Sequence, residues 1–275
     1  MAKCKAVHPP LSISNFHFSL QQITDDISGV FDFYWCSKDI LAVALAEGLP
    51  LFYKFSIDTM RLEAVAVSSG TTFDMTLSIT GRLDNLITCD NRGRLRLSQV
   101  QGSELQVTDE WTGHDSEIWY VASDRHDSNL FYSCADEGSL KAWDGRCGNS
   151  PIFAERKAHE AGVCCAASNP HEEFILATGS YDENVRIWDR RSMKQPLRVI
   201  NCGSGAWRVV WNEEREGEFG VAAMRKGFFI YNAQGDVPIA SLEMPEEAVA
   251  YGIDVKGSAV VSCSFYNNQA QIWRK

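Results

Sequence analysis

The chain has 275 residues, 45% of them hydrophobic and 23% charged, with 20 Gly and 8 Pro. That composition is globular, long enough for one substantial core, and excludes a disordered tail, a collagen-like fibre and a small disulfide scaffold. The net charge of −10 argues against a nucleic-acid surface, because no patch of Lys and Arg is large enough to offset that field.

Read from the N-terminus, Lys3 and Lys5 precede Pro9, Pro10 and polar residues, so no signal-peptide core follows. The segment Asn15–Gln22 stands ahead of the first complete unit as a spare strand. The longest pure apolar run, Ile40–Ala46, is far short of the roughly 20 residues of a membrane helix. From here onward a unit repeats. Ser133–Asp144 and Thr178–Asp189 each run from a small polar residue through a Gly- or Asn-containing turn to Trp-Asp. Each follows a loop histidine, His114 or His159. With the Trp as a ruler, equivalent positions fall at Tyr53, Ser98, Trp143, Trp188, Tyr231 and Trp273, spaced 45, 45, 45, 43 and 42 residues apart. Between them lie short alternating runs such as Leu140-Lys-Ala-Trp143 and Val185-Arg-Ile-Trp188, bounded by Gly, Asp and Asn, which predict short antiparallel strands joined by tight turns.

Six units of about 42–45 residues with four strands each resemble the WD40-type β-propeller. The sequence therefore predicts an all-β fold with six visible repeats, six- or seven-bladed, as one domain over residues 1–275. The resemblance rests on His159, Thr178, Asp182 and Trp188 in the best copy. It implies a buried hydrogen-bonded network among loop His, strand Thr, turn Asp and strand Trp. Trp273 lies two residues from the end, so the last blade lacks a fourth strand. Asn15–Gln22 is expected to supply it and close the ring.

The usual catalytic signatures are missing: there is no G-x-S-x-G elbow, no H-E-x-x-H and no P-loop. His171-Glu172-Glu173 sits in a polar turn and reads as solvated loop, and Gly203-Ser204-Gly205 as a loop entering a strand. Cys164-Cys165 lies in an apolar strand, where buried thiols are the default. The nine cysteines include no C-x-x-C pair, which points to reduced thiols and a cytoplasmic protein. No metal or cofactor site, and no partner among nucleic acids or membranes, is expected.

The period also builds a column. The first strand of each unit reads Val-Phe-Asp32-Phe, Thr-Phe-Asp74-Met, Glu-Ile-Trp119-Tyr, Gly-Val-Cys164-Cys, Gly-Ala-Trp207-Arg and Val-Ala-Tyr251-Gly. A second column, just before the turn acid, contains Tyr181 and Tyr266. Together these place Trp119, Trp207, Tyr251, Tyr181 and Tyr266 around one mouth of the channel, with Asp32 and Asp74 beside them. Aromatic faces with carboxylates suit a cationic ligand, above all a quaternary ammonium.

Phrases such as Ile175–Glu183, Met193–Leu197, Trp207-Arg208 and Ser262–Tyr266 are similar to the eukaryotic diphthine methylesterase family. Weaker similarity runs through Asp74-Met75 and Tyr251-Gly252. The resemblance implies hydrolysis of the methyl ester on methylated diphthine, the modified histidine of translation elongation factor 2, ahead of the amidation to diphthamide. That substrate carries a trimethylammonium group beside its ester, which meets the aromatic column. On this reading Trp119, Trp207, Tyr251, Tyr181 and Tyr266 hold the ammonium. The ester lies near Asp74 and Cys164, with Asp74 as the base or Cys164, if its thiol is acidified, as the nucleophile, and a hydroxyl of Tyr181 or Tyr266 donates to the oxyanion. The rival reading is a non-enzymatic scaffold or adaptor using the same mouth, which fold alone favours. A methyltransferase is disfavoured because no Gly-rich βα loop offers a donor site.

Overall fold

The computed structural model describes residues 29–275 apart from 60, 66, 246 and 268. The alternating runs form six antiparallel sheets in chain order. The first holds β1 (Val30–Trp35), β2 (Ile40–Leu45), β3 (Gly48–Ser56) and β4 (Arg61–Val65). The second holds β5 (Thr76–Arg82), β6 (Asn85–Asp90), β7 (Arg94–Gln101) and β8 (Glu104–Thr112). In the third are β9 (Ile118–Ser123), β10 (Leu130–Ala135), β11 (Leu140–Asp144) and β12 (Phe153–Glu155). The fourth comprises β13 (Val163–Ser168), β14 (Ile175–Ser180), β15 (Asn184–Asp189) and β16 (Arg198–Asn201). β17 (Ala206–Trp211), β18 (Glu218–Ala223), β19 (Gly227–Asn232) and β20 (Ala240–Glu243) make the fifth. The sixth has three strands among the described residues, β21 (Val249–Lys256), β22 (Ala259–Phe265) and β23 (Ala270–Arg274).

The burial patterns explain why such short strands hold. β5, β6 and β11 are buried along nearly their whole length, whereas the outer β8 alternates between exposed and covered residues. Strands near the axis are covered on both faces by neighbouring blades, and the rim strand meets solvent on one. Every ruler residue lies in the third strand of its blade, and Tyr53, Ser98, Trp143, Trp188 and Tyr231 are buried there. The first strands pack on one another in the order β1, β5, β9, β13, β17, β21 and so line the propeller axis. Among the described residues β21 and β1 do not share such a seam, and Val30, Phe33 and Trp35 on one side and Val261 and Ile272 on the other are exposed. The expected closing strand, residues 15–22, lies outside the described residues.

The network expected in the best copy is present in the fourth blade with one change of partner. Trp188 Nε1 donates to Thr178 Oγ1 at 2.9 Å, which leaves the threonine proton directed at His159 Nε2, 3.0 Å away. Trp143, Ser133 and His114 repeat the chain at 2.8 and 2.6 Å, and Trp273 donates to Ser262 at 3.2 Å. Glu137, the turn acid of the third blade, reaches His114 Nδ1 at 2.8 Å. Asp182 occupies the equivalent position with a side chain one carbon shorter. It binds the Glu160 amide and Arg186 instead, and Glu155 takes His159 Nδ1 at 3.3 Å. Blades are also tied through turns: Gly93, at φ 74°, accepts the amides of Gly113 and His114 at 2.8 and 3.1 Å. A Cβ on Gly93 would stand 2.2 Å from the His114 carbonyl oxygen, so only glycine fits.

Candidate functional site

Each first strand carries one β-bulge at the same point. The register slips between Val30 and Asp32, Thr76 and Ser78, Ile118 and Tyr120, Val163 and Cys165, Ala206 and Arg208, and Ala250 and Gly252. A bulge leaves one residue unpaired and re-aims its side chain. Here the six bulged residues are Phe31, Leu77, Trp119, Cys164, Trp207 and Tyr251. The period read from the sequence therefore finds four members of this ring and misplaces two. Asp32 belongs one residue further along, in a second ring with Ser78, Tyr120, Cys165, Arg208 and Gly252. Asp74 precedes β5 altogether.

Four of the five predicted aromatics form one contiguous patch. Trp119 meets Trp207 at 5.9 Å between ring centroids and Tyr181 at 6.4 Å. Trp207 meets Tyr181 at 5.8 Å and Tyr251 at 5.3 Å. Tyr266 stands apart: it joins only through Phe265, which the sequence reading did not single out and which contacts Tyr251 at 5.5 Å and Tyr266 at 4.9 Å. Tyr266 is 70% exposed at φ 65°, a conformation rare for a bulky side chain. Because the rings touch, they make a continuous aromatic face, on which a cation would lie, rather than an open box. Gly205 permits this closeness, since a Cβ there would come within 2.8 Å of the Met224 sulfur and 3.4 Å of the Tyr181 ring.

The carboxylate beside the patch is Asp136. It stands one period before Tyr181, in the second column, and accepts the Trp119 indole N–H at 3.1 Å. Burial raises the Tyr181 hydroxyl above the ordinary phenol range, with smaller contributions from Cys164 and the Asp136 charge. The period that locates Tyr181 also marks Asp136, 45 residues earlier in the same column. The Trp207 indole nitrogen, by contrast, is buried with no acceptor.

The two residues given chemical roles from sequence are held in other ways. Asp74 is engaged by Arg94 and, at 3.4 Å, by Arg92, and Arg94 in turn binds the buried Asp90 at 2.8 Å. Its oxygens belong to an arginine–carboxylate cluster of the second blade. Cys164 does occupy the ring, but it is fully buried, its thiol faces the Gly162 carbonyl oxygen at 3.7 Å, and burial pushes the thiol well above its ordinary range. A nucleophilic cysteine needs the opposite, an exposed and acidified thiol. Cys165 beside it is buried as well, as are Cys36, Cys89, Cys134 and Cys202.

Beneath the patch lies the second ring. Arg208 spreads its guanidinium over Tyr120 at 4.6 Å and over Trp207 at 4.9 Å, and donates to the carbonyl oxygens of Trp207 at 3.0 Å and Cys164 at 3.3 Å. Across the axis Asp32 accepts the Ser78 hydroxyl at 2.5 Å. Among the described residues no cluster of His, Cys, Asp and Glu is shaped to hold a metal ion, and no helix is long and apolar enough to cross a membrane.

Comparisons with known proteins agree with this architecture. The family model "WD domain, G-beta repeat" matches residues 105–144 and 151–189. Each match takes in the outer strand of one blade and the three inner strands of the next, so sequence repeat and blade are staggered by one strand. The chain is 32% identical to mouse "Diphthine methyltransferase" over 83% of its own length and 53% of the relative's. It is 32% identical to the human protein of that name over 76% and 50%. To the Dictyostelium discoideum "Diphthine methyltransferase homolog" it is 29% identical over 90% and 76%. The chain thus spans about half the length of the mammalian relatives. Among solved structures it superposes on the WD40 β-propeller domain of Doa1 with a TM-score of 0.71 at 15% identity, covering 91% of this chain and 80% of the other, a likeness of fold alone. The repeats, the propeller and the relatives together make this chain a member of the WD40-repeat family that contains the diphthine methyltransferases.

Proposed function

We propose that this chain hydrolyses the methyl ester of methylated diphthine on translation elongation factor 2, giving methanol and the free carboxylate of diphthine. The observation that carries the reading is the aromatic face at one mouth of the propeller, with the Asp136 carboxylate bound to its edge. It stands on a chain whose relatives bear the name diphthine methyltransferase. A trimethylammonium group gains about 0.5–2 kcal/mol from each ring face it meets, and Asp136 adds a countercharge. Trp119, Tyr181, Trp207 and Tyr251 are the binding residues in this reading, and Tyr266 with Phe265 extends the face towards the rim where a protein substrate arrives.

The relatives' printed name speaks of methyl transfer, and here the methyl group leaves as methanol. The described residues form strands and turns with no βα unit to cradle a nucleotide-like donor, which supports removal of the methyl over its addition. Hydrolysis takes water alone, so the reading calls for no cofactor or metal, and it puts the protein in the cytoplasm with its substrate. The test is incubation of the purified chain with methylated-diphthine elongation factor 2, following methanol release and the loss of one methyl group by mass.

A second reading, an adaptor that binds the modified side chain without turnover, draws support from the absence of a nucleophile–base pair in the patch itself. Binding without methanol release would establish it.

A further inference from the structure

The second ring holds a carboxylate that the aromatic patch does not use. Asp32 lies half-buried on β1, facing the axis, one residue beyond the bulge that aims the patch residues. Consecutive Cα atoms are about 3.8 Å apart, so this ring is one residue step below the patch. The offset suits a substrate whose ester sits on the carbon next to its ammonium. Ser78 fixes the carboxylate: it accepts the Val121 amide at 3.3 Å, which directs its own proton to Asp32 Oδ2 at 2.5 Å. Arg208 is the charge opposite, yet among the described residues no ion pair closes between them. Its guanidinium spans both rings, against Trp207 above and Tyr120 beside it. The acid and the base thus feel each other's charge without an ion pair, in the ring next to the cation-binding face.

We propose that Asp32 is the general base of the hydrolysis, taking a proton from the water that attacks the ester carbonyl, with Ser78 as its positioning residue and Arg208 facing the oxyanion. This rests on the function proposed above. Water gives its proton to Asp32 and its oxygen bonds to the carbonyl carbon, pushing the carbonyl electron pair onto oxygen beside Arg208. The tetrahedral intermediate collapses, the C–OCH3 bond breaks, and methoxide takes the proton from Asp32 to leave as methanol. The carboxylic acid formed gives its remaining proton, the second from the attacking water, to solvent, and the carboxylate product stays beside Arg208. Burial raises the Asp32 carboxyl above its ordinary range, against the lowering by Arg208 and Ser78, which makes it a stronger base. The other titratable groups that feel its charge are Tyr120, Tyr251 and Cys89, all raised and therefore neutral where Asp32 titrates.

The test is methanol release by the full chain as a function of pH. Wild type is expected to gain kcat/KM with rising pH through a limb displaced above the ordinary carboxylate value. Asp32→Asn should lower kcat by about 10²–10⁴ and abolish that limb, while binding of the trimethylammonium substrate is retained. Ser78→Ala should keep turnover but move the limb upward, because a hydrogen bond to the ionised carboxylate is lost. That shift is one a merely structural role would not produce. Release by wild type with the limb unchanged in both variants overturns the assignment of Asp32 alone. No release by a wild-type protein that binds the substrate overturns the hydrolase reading, and this inference with it.

Discussion

Replacing Thr178 by Val removes one hydroxyl and leaves side-chain shape almost unchanged, which isolates the blade network from packing. Thr178 is fully buried, and its oxygen satisfies both Trp188 Nε1 at 2.9 Å and His159 Nε2 at 3.0 Å. Both partners are themselves buried, so neither finds water when the hydroxyl goes. An orphaned buried polar group costs about 1–3 kcal/mol, and two give a loss of roughly 2–5 kcal/mol. For a chain of this size about 2–4 °C of melting temperature accompanies each kcal/mol, so the midpoint should fall by roughly 5–15 °C. Thr178→Ser keeps the oxygen and deletes one methyl, at about 1 kcal/mol. Thermal and urea unfolding of the two variants measure the difference. In the Trp188→Phe background the Val substitution should cost less, because one of its two partners has gone. A Val variant no less stable than the Ser variant would refute the view that the network, rather than shape, holds the blade.

Acidification should weaken the third blade in two adjoining windows. Burial holds the His114 imidazole down to about 4, against the hydrogen bond to Glu137, so it stays neutral when folded and takes a proton when unfolded. Stability is then full above the ordinary imidazole value near 6.5 and falls by about 3 kcal/mol as pH drops to about 4. Glu137 is desolvated too, but hydrogen bonds from Ser139 and His114 outweigh that and bring it to about 2, so its contribution is lost below the ordinary carboxylate range. Urea midpoints across pH 3–7 should show both slopes, and His114→Gln should erase the upper one; an unchanged upper slope rejects the assignment. At the patch, Trp119→Leu, Tyr181→Leu and Asp136→Asn should each raise KM for the trimethylammonium substrate about 3–30-fold with kcat less affected. An unchanged KM in all three would remove the cation face from the account. Cys164→Ala should keep turnover within about threefold, as befits a buried and unreactive thiol, and loss of activity in a folded Cys164→Ala protein would restore the nucleophile.

Much of this was legible because a propeller writes its fold as a period. The ruler residues from Tyr53 to Trp273 share one strand position per blade, and burial of the indole or its substitute makes the spacing visible in residue type. Trp119, Cys164, Trp207 and Tyr251 aligned for the same reason, since each sits on the bulge. Phe31 and Leu77 escaped because the first two units carry no histidine–tryptophan pair to fix the frame. Asp32 and Asp74 then drew the alignment by one and three residues. The swap of Glu155 for Asp182 at His159 was hidden as well, because it turns on a single methylene of reach. Nothing in the local sequence marks Arg208, because its place between two rings is a property of the folded axis, where residues far apart in the chain meet.

The central claim is that the aromatic mouth serves a reaction and not only a contact. Its most direct test is methanol release when the purified chain meets methylated-diphthine elongation factor 2, read together with the mass of the modified peptide. The account predicts one methanol per modified histidine, loss of the methyl group, and a strongly reduced rate for Asp32→Asn. A stable complex in which the methyl ester survives would contradict it.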